Sequence, residues 1–101
     1  MAVLAIFKGK GISKDMYDTL MKETRYADDQ PPGAIFHAAS FDDKGDIHVA
    51  DVWASPEGLD AYVRDRLMPA FQKHGIPAPE VGVFPVHNIH AFQAMNQHMR
   101  S

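Results

Sequence analysis

The sequence predicts one α+β domain with its elements in the order β-α-β-β-α-β. Three observations carry this reading. The 101 residues are the usual size of one domain with one core, and no repeat or low-complexity stretch divides them. Two segments place apolar residues at helical spacing behind recognisable start signals. Four short apolar segments flank them, and the middle two surround a turn rich in Asp and Gly.

Ala2–Lys8 is an apolar run rich enough in Val, Ile and Phe for a buried strand, and Gly9-Lys10-Gly11 ends it. Ser13 is placed to cap a helix, with Asp15 in the first turn where the dipole favours an anion. Tyr17, Leu20, Met21 and Thr24 recur at i, i+3, i+4 and i+7, so Lys14–Ala27 reads as an amphipathic helix. Asp28–Gly33 is a loop, because two prolines and a glycine extend neither regular element. Ala34–Phe41 and Ile47–Ala54 are strands joined through Asp42–Asp46, with Gly45 suited to the left-handed position of a three-residue loop.

Ser55, Pro56 and Glu57 supply a cap, a first helical residue and a first-turn acid. Leu59, Val63, Leu67, Ala70 and Phe71 form the buried stripe of this second helix, and Asp60 and Arg64 are an i,i+4 pair on its outer side. Pro69 lacks the amide that would bond the Asp65 carbonyl, which predicts a kink or a break. Gly75 and Pro77 end the element. Val81–Ile89 is the last strand, and Pro85 points to an edge position or a bulge. The tail from Ala91 reads as a frayed helix or an arm onto a partner.

Right-handed crossovers place both helices on one face of a four-stranded antiparallel sheet, the ferredoxin-like arrangement. The other face lacks cover from its own chain. A second subunit is the simplest cover if that face is apolar, and a domain this small buries only ~60–65% of its unfolded surface alone.

Composition narrows the function. Apolar residues make up 46% of the chain, with six Phe, three Tyr and one Trp, which is ample for a core. Ten basic and thirteen acidic residues are interspersed and leave a net charge of −3, a poor footprint for nucleic acid or an anionic membrane. The absence of cysteine excludes disulfides, thiolate metal sites and a cysteine nucleophile. Ala2–Phe7 is too short for a signal h-region or a membrane span, so the expectation is a cytoplasmic protein.

Three segments also resemble a known group. Asp51-Val52-Trp53-Ala54-Ser55-Pro56-Glu57, Arg66-Leu67-Met68-Pro69 and Val83-Phe84-Pro85-Val86-His87-Asn88 are similar to stretches in small bacterial proteins of the dimeric α/β-barrel superfamily. That superfamily is similar to the antibiotic-biosynthesis monooxygenases and the stress-responsive barrel proteins. The resemblance covers nearly the whole chain to about Ile89. It implies two sheets packed face to face in a homodimer, with ligands held between a sheet and its own helices. It leaves the activity open, because the superfamily hosts cofactor-free oxygenases, isomerases, haem-degrading enzymes and plain binding proteins. The Asn that haem-degrading members carry on the first strand is missing from Ala2–Lys8, so that activity does not transfer.

The hairpin register decides which side chains meet. An odd loop sets Phe41 opposite Ile47, Ala39 opposite Val49, His37 opposite Asp51 and Ile35 opposite Trp53. One face is then apolar except for a His–Asp pair beside an indole. A two-residue Lys44-Gly45 turn would instead set His37 opposite Val52 and on the side of His48; the odd loop is preferred because it gathers the large apolar groups. In that register His37 is a candidate general base, Asp51 its orienter and Trp53 a stacking wall for a substrate. The same pair also reads as a buried polar contact that only satisfies itself.

His87 joins this pocket as a second substrate contact if the strand alternation permits, and is otherwise structural. His87 and His90 stand three apart on a strand and point to opposite faces, so no metal or other cofactor is expected. Arg64 and Arg66 are either solvated helix charges or contacts for an acidic group at a pocket mouth. Two function classes follow. One is a cofactor-independent oxygenase-like or isomerase-like enzyme acting on a small hydrophobic or aromatic molecule. The other is a non-catalytic homodimer that binds such a ligand or serves a stress response.

Overall fold

Four strands, β1 (Val3–Gly9), β2 (Ala34–Phe41), β3 (Ile47–Trp53) and β4 (Glu80–Pro85), form one sheet in a computed structural model that describes residues 1–99. Their order is β2-β3-β1-β4, with each neighbouring pair antiparallel. Helices α1 (Lys14–Glu23), α2 (Pro56–Tyr62) and α3 (Met68–His74) complete the expected ferredoxin-like α+β architecture. Burial alternates along β1 with the period of two that a half-covered strand requires. Val3, Ala5 and Phe7 are buried under the helices, in register with Trp53, Asp51 and Val49.

The central hairpin closes as the odd loop requires. Gly45 takes φ 83° and donates its N–H to the Asp42 carbonyl at 2.9 Å. The Asp42 carboxylate accepts the amides of Lys44 and Asp46 at 2.9 and 3.0 Å, a side-chain substitute for missing backbone partners. Phe41 therefore meets Ile47, Ala39 meets Val49, and His37 meets Asp51. The fourth expected pair is corrected. A bulge between Ala34 and Phe36 puts Ala34 opposite Trp53 and leaves Ile35 54% exposed. The extra residue is absorbed where the strand leaves the Pro31-Pro32-Gly33 turn, whose Gly33 sits at φ 86°.

Helix α1 starts at Ser13, whose hydroxyl accepts the Met16 amide at 3.1 Å. It ends earlier than the apolar spacing predicts. Arg25 adopts φ 55°, its N–H bonds the Lys22 carbonyl, and the Tyr26 N–H reaches back to the Met21 carbonyl at 3.3 Å. These paired bonds are a Schellman ending with arginine where glycine is usual. Nothing in the composition of that turn announces it.

Pro69 does not break the second helix. A π-helical turn over Val63–Leu67 follows α2, the Met68 N–H bonds the Val63 carbonyl, and Pro69 falls in the first turn of α3. The wide turn absorbs the missing amide. Arg64 remains within electrostatic reach of Asp60, its expected i,i+4 partner, and donates its hydrogen bonds to Asp65 at 2.9 and 3.2 Å. Strand β4 is shorter than predicted. Pro85 lies on an edge strand opposite Val3, the Val86 N–H still bonds the Ala2 carbonyl, and the tail then makes a 3₁₀ turn over Gln93–His98.

Two apolar clusters fill the space between helices and sheet. One joins Val3, Ala5, Phe7, Trp53, Leu59 and Tyr62; the other joins Ile12, Leu20, Ile47, Ala70 and Phe71. The far face carries Leu4, Ile6, Phe36, Ala38, Val52 and Phe84, as the pairings dictate, and Phe84 is 54% exposed there. Among the described residues no helix is long and apolar enough to cross a membrane.

A left-handed conformation costs a residue with a Cβ about 1–2 kcal/mol, against ~0.5–1 kcal/mol of extra chain entropy for glycine. Arg25→Gly is therefore expected to raise stability by a few tenths to about 1 kcal/mol in urea unfolding. A loss would show that the Arg25 side chain contributes more than the strain removes.

Candidate functional site

His37 stands on edge strand β2 and Asp51 beside it on β3, both facing the helices. The His37 Nδ1 lies 2.6 Å from Asp51 Oδ1. The other carboxylate oxygen, Oδ2, accepts the indole N–H of Trp53 at 3.3 Å. Asp51 is 3% exposed and has both oxygens engaged, so the Nδ1–H tautomer of a neutral His37 is the one that satisfies the pair. This leaves Nε2 as an acceptor. The hydroxyl of Tyr17, carried over from α1, donates to it at 2.6 Å.

The result is a directed chain from Tyr17 Oη through the imidazole to the Asp51 carboxylate. Aromatic rings enclose it. Tyr17 stacks nearly parallel to the imidazole with ring centres 6.0 Å apart, and Tyr26 lies across it at 4.9 Å. Tyr62 meets Tyr26 edge-on at 5.6 Å and Trp53 at 5.3 Å. Burial is the main cause that pushes the Tyr62 phenol up to about 12, the Asp51 charge adding to it and a hydrogen bond with Thr24 opposing it. Burial raises Tyr26 further, again with help from Asp51. Both hydroxyls stay protonated throughout the physiological range.

A cavity of about 60 Å³ adjoins this chain, between the sheet and its own helices. Tyr17, His37, Asp51 and Tyr62 are the lining residues with polar groups, and Phe7, Leu20, Val49 and Leu67 are among the carbon that lines the rest. It has room for about two molecules the size of water. Ligand pockets for larger molecules are usually ~300–1,000 Å³, so an aromatic guest requires the side chains to part.

Four residues were singled out from the sequence, and the structure brings three of them together. Trp53 is in the cluster, but not as an exposed wall. It is 0% exposed, packed behind Asp51, and its polar atom is spent on the carboxylate. A ring so enclosed orients Asp51 and offers no face to a ligand. His87 lies beyond the end of β4, exposed and away from the cavity lining. All three tyrosines of the chain converge here, and sequence reasoning placed none of them. The available signal was Tyr17, which shares the inward stripe of α1 with Leu20.

A second, wider cleft of about 420 Å³ runs between the end of α1 and the π turn. Its charges are of both signs and largely paired. Arg66 donates to the carbonyls of Thr24 and Asp29 at 3.3 and 2.6 Å, while Lys73 and His74 approach Glu23 at 3.2 and 3.0 Å. Arg66 thus clamps the loop after α1. No group of three or more metal-ligating side chains gathers anywhere among the described residues.

No family model and no curated protein matches the chain. Solved structures do, and they share its fold. A candidate antibiotic biosynthesis monooxygenase from Chloroflexus aurantiacus is 21% identical, with a TM-score of 0.66 over 90% of this chain and 98% of that one. SnoaB, a cofactor-independent oxygenase from Streptomyces nogalater, is 11% identical, with a TM-score of 0.64 over 87% of this chain and 94% of its own. A Nitrosomonas europaea protein of unknown function is 16% identical, with a TM-score of 0.65 over 89% and 91%. The predicted fold class is the one these structures have.

Asp51→Asn turns one of the two accepting oxygens into a donor, so it cannot accept from both His37 Nδ1–H and the Trp53 indole N–H, and is expected to cost ~1–3 kcal/mol. An unchanged melting temperature would contradict a structurally coupled pair. Alkaline stability follows from the phenols. Their folded pKa values lie above the unfolded value of ~10, so stability holds below that pH and declines as pH rises toward 12. Urea midpoints measured from pH 8 to about 11.5 should fall above ~10, with a shallower fall in Tyr62→Phe; equal slopes would refute the assignment.

Proposed function

We propose that the protein is a cofactor-independent acid–base enzyme, oxygenase-like or isomerase-like, that acts on a small hydrophobic or aromatic molecule. The observation that carries this is the His37–Asp51 pair on the wall of a largely apolar cavity. Asp51 holds the imidazole in one tautomer, and the low-dielectric surroundings strengthen any charge that develops beside it. Proton abstraction from an activated carbon or hydroxyl is the step such a pair performs, and it needs no bound group. The shared fold with a cofactor-independent oxygenase is consistent with this chemistry.

The assembly proposed with it is a cytoplasmic homodimer. Apolar Leu4, Ile6, Phe36, Val52 and Phe84 on the uncovered sheet face support sheet-to-sheet pairing. His87 lies outside this chain's own cavity. The second reading is a non-catalytic dimer that binds a small hydrophobic ligand. One observation favours it: no buried side-chain nitrogen or oxygen among the described residues lacks a partner. A cluster already satisfied needs no substrate to complete it.

Oxygen uptake and product formation with a panel of hydroxylated aromatic compounds, without added flavin or metal, test the proposal. Native mass spectrometry of the same preparations reads the subunit count and any retained molecule. Turnover by wild type that falls ~100–10,000-fold in a folded His37→Ala variant is expected. Equal ligand affinity in both proteins, with no turnover in either, would select the binding reading.

A further inference from the structure

We infer that Tyr17 is the residue that exchanges a proton with the bound molecule, with His37 acting as the base behind it. This rests on the acid–base reading above and moves the reacting atom from the imidazole to the phenol oxygen. Asp51 occupies Nδ1, so Nε2 is the imidazole nitrogen left with a lone pair, and Tyr17 Oη already holds it at 2.6 Å. A molecule entering the cavity meets a phenol whose proton points at a base.

The three tyrosines share a neighbourhood but not a chemistry. Tyr26 and Tyr62 are buried beside the Asp51 charge and are held in the protonated form. Tyr62 packs its ring against Tyr26 and Trp53, and Tyr26 touches the imidazole through its ring. Tyr17 alone makes a hydrogen bond to His37 Nε2. Its position is firm: the Ser13 cap anchors the first turn of α1, and Phe41 packs edge-on against the ring at 6.3 Å. Environment thus assigns different roles to chemically identical groups.

The step moves one proton and no electrons. The substrate's acidic C–H or O–H yields its proton to Tyr17 Oη as the phenol's own proton passes to His37 Nε2. A substrate anion is left beside an imidazolium that Asp51 pairs. The carbon lining selects an apolar body, and the phenol selects one weakly acidic group on it, such as a hydroxyl on a ring or a C–H next to a carbonyl.

Phenylmethanesulfonyl fluoride is a suitable probe, because it needs no knowledge of the substrate. The phenol oxygen displaces fluoride from sulfur, the phenolic proton goes to Nε2, and a sulfonate ester remains. Intact-mass and peptide analysis should find one adduct, on Tyr17 and not on Tyr26 or Tyr62. His37→Gln keeps a hydrogen-bonding amide but no comparable base, and should slow labelling ~100-fold. Asp51→Asn should slow it as well and serves if His37→Gln does not fold. Labelling at the wild-type rate in either folded variant, or an unmodified Tyr17, overturns the inference. Turnover that survives in Tyr17→Phe also overturns it while sparing the enzyme reading. Base-dependent labelling of Tyr17 without turnover of any compound leaves the activated phenol standing and removes the enzyme.

Discussion

The register of β2 against β3 is the constraint on which the rest depends. Side chains alternate faces along a strand, so a slip of one residue would send His37 to the uncovered side and strand Asp51 among the helices. The slip is prevented locally. Asp42 spends its carboxylate on two loop amides and Gly45 takes a backbone conformation open chiefly to glycine, so an odd loop is the one that closes. The bulge at Ile35 shows where this control ends. Past His37 the strand yields one residue to the proline turn, after the chemically important pair is already set.

Helix endings do comparable work for the aromatic cluster. The left-handed Arg25 reverses the chain after α1 and returns Tyr26 over the imidazole. Arg66 then fastens that return through the carbonyls of Thr24 and Asp29. Its own placement follows from the π turn, which carries the second helix past Pro69 without a break. Leu67 from the same turn packs against both apolar clusters, so one irregular turn joins the two halves of the core. Strain and irregular hydrogen bonding thus gather around the candidate site rather than far from it.

The two sheet faces differ in kind. Under the helices, apolar residues surround a small polar set whose members satisfy one another, a combination that low dielectric makes costly to disturb. On the other side, small residues such as Ala38, Ala50 and Gly82 alternate with Phe36 and Phe84, and the Phe84 ring lies close over Gly82. A side chain at position 82 would collide with that ring at 2.9 Å, so the glycine lets the aromatic lie flat along the strand.

Much of this was legible in the sequence because it is local. Ser13 and Ser55 announced helix starts by a hydrogen bond that spans three residues, and Gly45 announced the loop that pairs His37 with Asp51. Short apolar runs located every strand, and helical spacing located the inward stripe from Leu59 to Phe71. What remained hidden depends on residues distant in the chain. Arg25 carries no mark of a left-handed ending, and nothing within Val63–Leu67 announces the π turn that precedes Pro69. Trp53 read as an exposed wall because its indole could not be seen bonding Asp51 behind a lid of helix. The convergence of Tyr17 and Tyr26 on His37, with Tyr62 packed behind Tyr26, joins α1, its return loop and α2 to β2. Spacing within an element is fixed by backbone geometry; distance between elements is fixed by packing, and that the tertiary structure alone decided.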